Sequence, residues 1–175
     1  TLNRLLAGQD ADLLFLVATA EMARKIHPQI RAVANKPLIV ISTSHVYSGR
    51  FDATADKALI GLYFVDIPWM LDLGGEGPLA HRAVMGQTTS AAGPLARLYA
   101  MGIDAYRLAP RLSELAANPG AYHPGQTGGL AVDPMGRITR QLALGRFTET
   151  GPRLASGVDQ PSGARAKPTS VIGPE

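Results

Sequence analysis

A chain of 175 residues has room for one domain of ordinary size, and 46% apolar against 18% charged residues excludes a disordered one. The formal charge of +3 raises nucleic acid as a partner, but Arg153, Arg165 and Lys167 lie near the end and the other basic residues are scattered. The few aromatics are not interleaved with them as a stacking groove requires, so no nucleic-acid partner is expected. The absence of cysteine excludes disulfides, thiolate metal sites and cysteine nucleophiles, and no apolar run approaches the ~18 residues that span a bilayer.

Residues Thr1 to Gln9 read as the end of a helix, with Leu2, Leu5 and Leu6 on one side. Leu13 to Ala18 is a continuous apolar run of strand length. Thr19 is a good N-cap, because its hydroxyl can accept from a free N–H of the first turn. Glu21 follows where the helix dipole favours negative charge. Met22, Ile26, Ile30 and Val33 then supply an amphipathic face, and Pro28 is expected to kink the helix or divide it. The run Leu38-Ile39-Val40-Ile41 reads as a strand buried on both faces. Strand, helix and strand at this length predict a right-handed βαβ crossover with parallel strands.

Residues Gly49 to Ala58 form a polar connection with room for a short helix, and Leu59 to Val65 is predicted as a third strand. Pro68 stops strand pairing and holds Trp69 at a defined exit point. Leu73 to Pro78 reads as a Gly-rich loop, and Gly74-Gly75-Glu76-Gly77 lacks the glycine order of a phosphate cradle. Leu95 to Ala100 and Ile103 to Ala117 are predicted helical, with Pro110 bending the second. Gly125 to Phe147 reads as a β-hairpin around the Asp133-Pro134-Met135-Gly136 turn. The sequence therefore divides into a domain over residues 1–149 and a disordered Pro/Gly/Ser-rich tail over 150–175. Parallel strands need helices on both faces. Too few helical segments are present, so the chain is expected to expose apolar surface.

The polar segment after the second strand carries the candidate chemistry. Ser42, Thr43, Ser44, His45 and Tyr47 lie beyond the strand's carboxyl end, where open α/β sheets form crevices, and are predicted to face a cleft. Trp69 is the further candidate contact. A nucleophile–base reading of Ser42, Thr43, Ser44 and His45, with Asp52, Asp56 or Asp66 orienting, is weak: neighbours in an extended segment point oppositely and no nucleophile elbow is present. Histidines 27, 45, 81 and 123 are too dispersed for metal spacing. No catalytic residue, metal or cofactor is expected. Asp104 and Arg107, three apart on a helix, read as a surface pair of small energetic value.

Several segments in order resemble one family. They are Thr19 to Pro28, Thr43-Ser44-His45-Val46-Tyr47-Ser48-Gly49, Asp66-Ile67-Pro68-Trp69-Met70-Leu71, Leu98 to Leu108, and Gly125 to Arg140, which includes Gly-Gln-Thr-Gly-Gly and Asp-Pro-Met-Gly-Arg. Together they resemble the C-terminal domain of the LppC/LpoA lipoproteins, the penicillin-binding protein activators of Gram-negative bacteria. The resemblance runs from about Asp10 to Phe147. It implies an α/β, type I periplasmic-binding-protein-like fold, parallel-sheet lobes joined by crossovers, with only the C-terminal portion present and ending in a β-hairpin.

It also implies a non-catalytic regulator that activates a class A penicillin-binding protein from the outer membrane and so stimulates peptidoglycan synthesis. The implied localisation is the periplasm, with membrane contact only through a lipid anchor that this chain lacks. The chain starts at Thr1 without an initiating Met, and the family's helical N-terminal domain and lipid-bearing cysteine are missing, so a partial chain is expected. Where the family pattern leads one to expect a Trp near the last strand, this chain has Leu144-Gly145. The alternative is a periplasmic solute-binding protein that closes on a small ligand such as an amino acid, with Ser42 to Tyr47 lining the cleft.

Overall fold

The computed structural model describes residues 11–71, 77–88 and 91–155. The expected helix over Thr1 to Gln9 and most of the glycine-rich loop lie outside the described residues. In chain order the elements are β1 (Leu13–Leu16), α1 (Ala20–Val33), β2 (Ile39–Ser42), β3 (Tyr63–Asp66), α2 (His81–Gln87), α3 (Ala96–Leu108), α4 (Leu112–Ala117), β4 (His123–Gly125), β5 (Gly128–Val132), β6 (Ile138–Gln141), β7 (Ala143–Thr148) and β8 (Gly151–Leu154). The described residues form two compact units: 11–66 with 144–155, and 67–71 with 77–88 and 91–143.

The first unit is a five-stranded sheet in the order β1-β2-β3-β7-β8. β1 pairs with β2 and β2 with β3 in parallel, as the strand–helix–strand pattern predicts. α1 makes the crossover. Thr19 caps it, its hydroxyl accepting from Met22 N at 3.4 Å. Pro28 does not divide this helix. It lies on the exposed side, where the Arg24 carbonyl that loses its donor can be hydrated. The buried face is Ala23, His27 and Ile30, and Met22, expected to be buried, is exposed.

β3 begins four residues later than Leu59, because residues Asp56–Leu59 close a 3-10 turn with Leu62 N donating to Leu59 O. Asp56 fixes that turn to the crossover helix: the Arg24 Nε donates to Asp56 Oδ1 at 2.9 Å, and Asp52 N to Oδ2 at 2.9 Å. Phe64 and Phe147 sit at the centre with ring centroids 5.0 Å apart, and Tyr47 packs against both. Two expectations are corrected. β2 is half-buried, alternating between buried Val40 and Ser42 and partly exposed Ile39 and Ile41. Residues 151–154, expected in a disordered tail, form β8, paired antiparallel to β7, since a neighbouring strand supplies the hydrogen bonds that apolar content does not. Residues 156–175 of the expected tail lie outside the described residues.

His27 is 2% exposed, and its Nδ1–H donates to Ala58 O at 2.8 Å. Burial pushes its pKa below the usual value; the Ala58 bond opposes this and Arg31 reinforces it. In the unfolded chain the ring takes up a proton near pH ~6.5, whereas the folded ring stays neutral to lower pH. Stability is therefore expected to fall as pH drops from that value through the folded one. His27→Gln, which keeps a donor for Ala58, should flatten this fall in Tm between pH 7.5 and 5; an unchanged slope would remove His27 as its source.

The second unit holds α2, α3, α4 and a three-stranded antiparallel sheet in the order β4-β5-β6. The two predicted helices 95–100 and 103–117 are differently divided: α3 runs unbroken through Met101-Gly102, and Pro110 sits in a 3-10 turn at Ala109–Arg111 that separates α3 from α4. α2 has no counterpart among the predicted elements. Leu108, Leu115, Ala121 and Leu130 form a core where α3 and α4 meet β5. β5 and β6 make a hairpin around the predicted turn, with Gly136 N donating to Asp133 O and Asp133 N to Arg137 O, both at 2.9 Å, whereas Leu144 to Phe147, expected in the same hairpin, belong to β7 of the first unit's sheet.

Apolar surface is exposed in each unit, as the shortage of helices predicts. On the edge strand of the first, Leu13 and Phe15 are 53% and 59% exposed. In the second, α3 and Leu79 line a groove of about 790 Å³ whose wall includes Leu98, Tyr99 and Tyr106.

Candidate functional site

The parallel strands of the first unit end together, and β2 feeds directly into the polar segment. Thr43 stands in extended conformation before a single 3-10 turn, Ser44–Val46, closed by Val46 N to Thr43 O and Tyr47 N to Ser44 O. The turn buries Val46 completely, which leaves Thr43 and Ser44 partly exposed and His45 exposed. The Thr43 hydroxyl and His45 Nδ1 lie 3.3 Å apart. Tyr47 is partly buried, its ring edge-on to Phe147 at 5.9 Å.

Two of the predicted site residues are not there. Ser42 belongs to β2 itself, where period-two alternation turns it inward beside Val40. It is 0% exposed, and its hydroxyl donates to Leu16 O at 2.5 Å. It ties two strands together and cannot line an open cleft. Trp69 belongs to the second unit and is also 0% exposed. Its indole N–H donates to Ala91 O at 3.4 Å, and its ring meets His81 edge-on at 4.8 Å. The segment after Pro68 folds into a 3-10 turn that drives the indole into the interior. As an exposed contact, Trp69 is ruled out.

Thr43, Ser44, His45 and Tyr47 are thus what remains of the predicted set, on one turn at a strand's carboxyl end. Their chemistry is hydrogen bonding. His45 faces a hydroxyl; of the acids read as orienting partners, Asp56 holds Arg24, and Asp52 accepts from Thr54 N and Ala55 N at 2.9 Å. Among the described residues, no group of three His, Cys, Asp or Glu side chains could hold a metal, and no helix is long and apolar enough to cross a membrane.

A second polar cluster was not foreseen. Asp104 is 3% exposed on α3, not on the surface. Its carboxylate accepts from Gln126 N and Thr127 N, each at 2.7 Å, and from the Thr127 hydroxyl at 2.6 Å. Arg140 Nε donates to the same hydroxyl oxygen at 3.1 Å. The glycines around it permit the approach. A Cβ on Gly125 would lie 2.7 Å from Asp104 Oδ2, and one on Gly128, at φ +124°, would collide with the Gln141 carbonyl. This cluster anchors the β4–β6 sheet to α3. The signal for it lies in the order Gly-x-Asp and Gly-Gln-Thr-Gly, which no helical spacing rule connects.

Comparison with known proteins agrees with the family resemblance. The family model described as "LppC putative lipoprotein" matches residues 4–150. Among curated proteins, the penicillin-binding protein activator LpoA of Pectobacterium parmentieri is 30% identical over 79% of this chain, and that of Serratia proteamaculans 32% over 78%. The chain spans 20% of the length of these relatives. Among solved structures, the LpoA C-domain from Haemophilus influenzae, a regulator of PBP1A, superposes with a TM-score of 0.72 at 21% identity, covering 88% of this chain and 48% of that one. A "putative branched-chain amino acid ABC transporter" from Chromobacterium violaceum superposes with a TM-score of 0.56 at 28% identity, covering 83% of this chain and 46% of that one. These likenesses identify an α/β, periplasmic-binding-protein-like fold that ends in strands, and the match over residues 4–150 makes this chain a member of the LppC family.

Proposed function

We propose that this chain is part of a non-catalytic regulator of peptidoglycan synthesis, which binds and activates a class A penicillin-binding protein. The observation that carries the reading is the 30% identity, over 79% of the chain, to a protein named as a penicillin-binding protein activator. The partly exposed Thr43 hydroxyl and the exposed His45 imidazole, 3.3 Å apart, offer hydrogen-bonding groups that a binding role can use. The proposed place of action is the periplasm, with the whole protein anchored to the outer membrane. Activation then requires tighter binding to the active state of the synthase than to its resting state, since equal affinity shifts nothing. The test is a titration of the full-length protein against the same organism's class A synthase, following binding, glycan polymerisation and crosslinking together. Saturable binding with faster synthesis is expected. Absence of binding by the folded protein overturns the reading.

The turn at Thr43–Tyr47 favours a second reading, a solute binder of the same fold. It places a few polar groups at the ends of parallel strands, as small-ligand sites do, and the fold likeness to the transport protein points the same way. A panel of free amino acids should then raise Tm in proportion to RT ln(1 + [L]/Kd), and His45→Ala should reduce the shift. No shift at millimolar ligand removes this reading and leaves the first standing.

A further inference from the structure

One histidine of the second unit is set into the wall between a helix and a strand. His123 opens β4, and its register places it opposite Leu130, which in turn stands opposite Arg140 on β6. Strand alternation turns these three to the same face of the sheet. Leu130 is buried there, in the core it shares with Leu115 of α4. The His123 ring enters a small recess beside that core, whose other walls are Arg111, Glu114, Leu115 and Tyr122. The residue is half-buried, but its Nε2 is sealed from solvent and has no hydrogen-bond partner among the described residues. A polar atom sealed in this way costs stability, and nothing in the packing of the core requires an imidazole at that position.

The recess suits a neutral ring. Charged groups reach it from each element packed around it: Arg111 in the turn between α3 and α4, Glu114 on α4, and Asp104 and Arg107 on α3, with Arg140 two strands away on the same face. Burial does most to hold the His123 pKa below its usual value; Arg111 and Arg107 act in the same direction, and Asp104 and Glu114 oppose it. The Asp104 carboxylate already accepts three hydrogen bonds from Gln126 and Thr127. Both nitrogens of a protonated ring are donors, so the charged form would leave Nε2 a sealed donor with no acceptor, whichever tautomer the neutral ring adopts. Turned out into water, the same nitrogen is hydrated, and the ring titrates near pH ~6.5.

We propose that His123 is an acid-sensitive latch: the neutral ring closes β4 against α4, and its protonation draws the side chain into solvent and loosens β4 and β5 from the Leu115–Leu130 core. The open form takes up a proton near pH ~6.5 and the closed form only below that, so closure is fully present above this value and weakens as pH falls. A closed ring that stayed neutral throughout would set a ceiling of about tenfold on the loss between pH 7.5 and 5.5. The test is amide hydrogen exchange over residues 121–132 of the full-length protein and of His123→Gln, which cannot titrate, with the intrinsic exchange rates divided out. Protection of the wild type should fall several-fold from pH 7.5 to 5.5, and that of His123→Gln should stay level. His27 is present in both proteins and does not contribute to the difference. Unchanged wild-type protection overturns the latch. So does a fall that His123→Gln retains, since its source would then be another group, such as Asp104 or Glu114. Where His123→Gln does not fold, hydrogen exchange at the His123 ring C2 position of the wild type decides. A midpoint below the ordinary ~6.5 together with the fall in protection supports the latch, and a midpoint at or above that value overturns it.

Discussion

Asp104→Ala is expected to lower the unfolding free energy by about 4 kcal/mol, since stranding a buried donor costs about 1–3 kcal/mol and more than one is stranded. The carboxylate takes the Gln126 and Thr127 N–H groups and the Thr127 hydroxyl, all buried with it. Truncation leaves a small polar void that water fills only in part. Asp104→Asn keeps the shape but points an amide N–H₂ at donors, so its cost should be smaller, about 2 kcal/mol. Urea midpoints at unchanged m-value measure both. A loss under ~1 kcal/mol for the alanine variant would mean that packing of Leu130 against α4, and not this cluster, holds the sheet in place.

The alternation of local chemistry and distant partners explains what could be read from the sequence. The α1 start was legible because Thr19 caps a residue three positions away, and the β5–β6 turn because Asp133 to Gly136 contain their own hydrogen bonds. Parallel pairing of β1 with β2 followed from strand, helix and strand in succession. The start of β3 was not legible. Leu59 and Ile60 have strand-forming side chains, but the turn that claims them is anchored by Asp56 to Arg24, 32 residues away. The continuity of α3 through Gly102 is likewise a tertiary matter, since Ala100, Asp104 and Leu108 bury one face across it.

The candidate site divides along the same line. That Thr43, Ser44 and His45 lie beyond a strand end could be read from polarity alone. That Ser42 points inward could have been read from period two, because Val40 is its same-side neighbour. Asp104 could not. A helical acid three residues before an arginine looks like a solvated pair, and its true partners, two backbone N–H groups and one hydroxyl at Gln126 and Thr127, lie more than twenty residues on, where no spacing rule connects them to it. Charge on an amphipathic helix is thus ambiguous until the opposing loop is known.

Trp69→Ala should cost about 4 kcal/mol, within the ~3–5 kcal/mol seen when a large buried aromatic is truncated. The indole is fully buried, meets the His81 ring edge-on and satisfies the Ala91 carbonyl. Trp69→Phe keeps most of the apolar contact and loses the N–H bond, so about 1–2 kcal/mol is expected. The Trp69 backbone N–H also donates to Gln126 O at 3.1 Å, while Gln126 N donates to Asp104. The same peptide segment is thus held from two sides, and a shift in one grip loosens the other. The double variant Trp69→Ala with Asp104→Ala should therefore lose less than the sum of the single losses, by at least ~0.5 kcal/mol. Strict additivity in urea denaturation would show that the two grips act independently. In that case Trp69 stabilises the unit through the Ala91 and His81 side alone, and Asp104 alone fixes the loop that leads into β5.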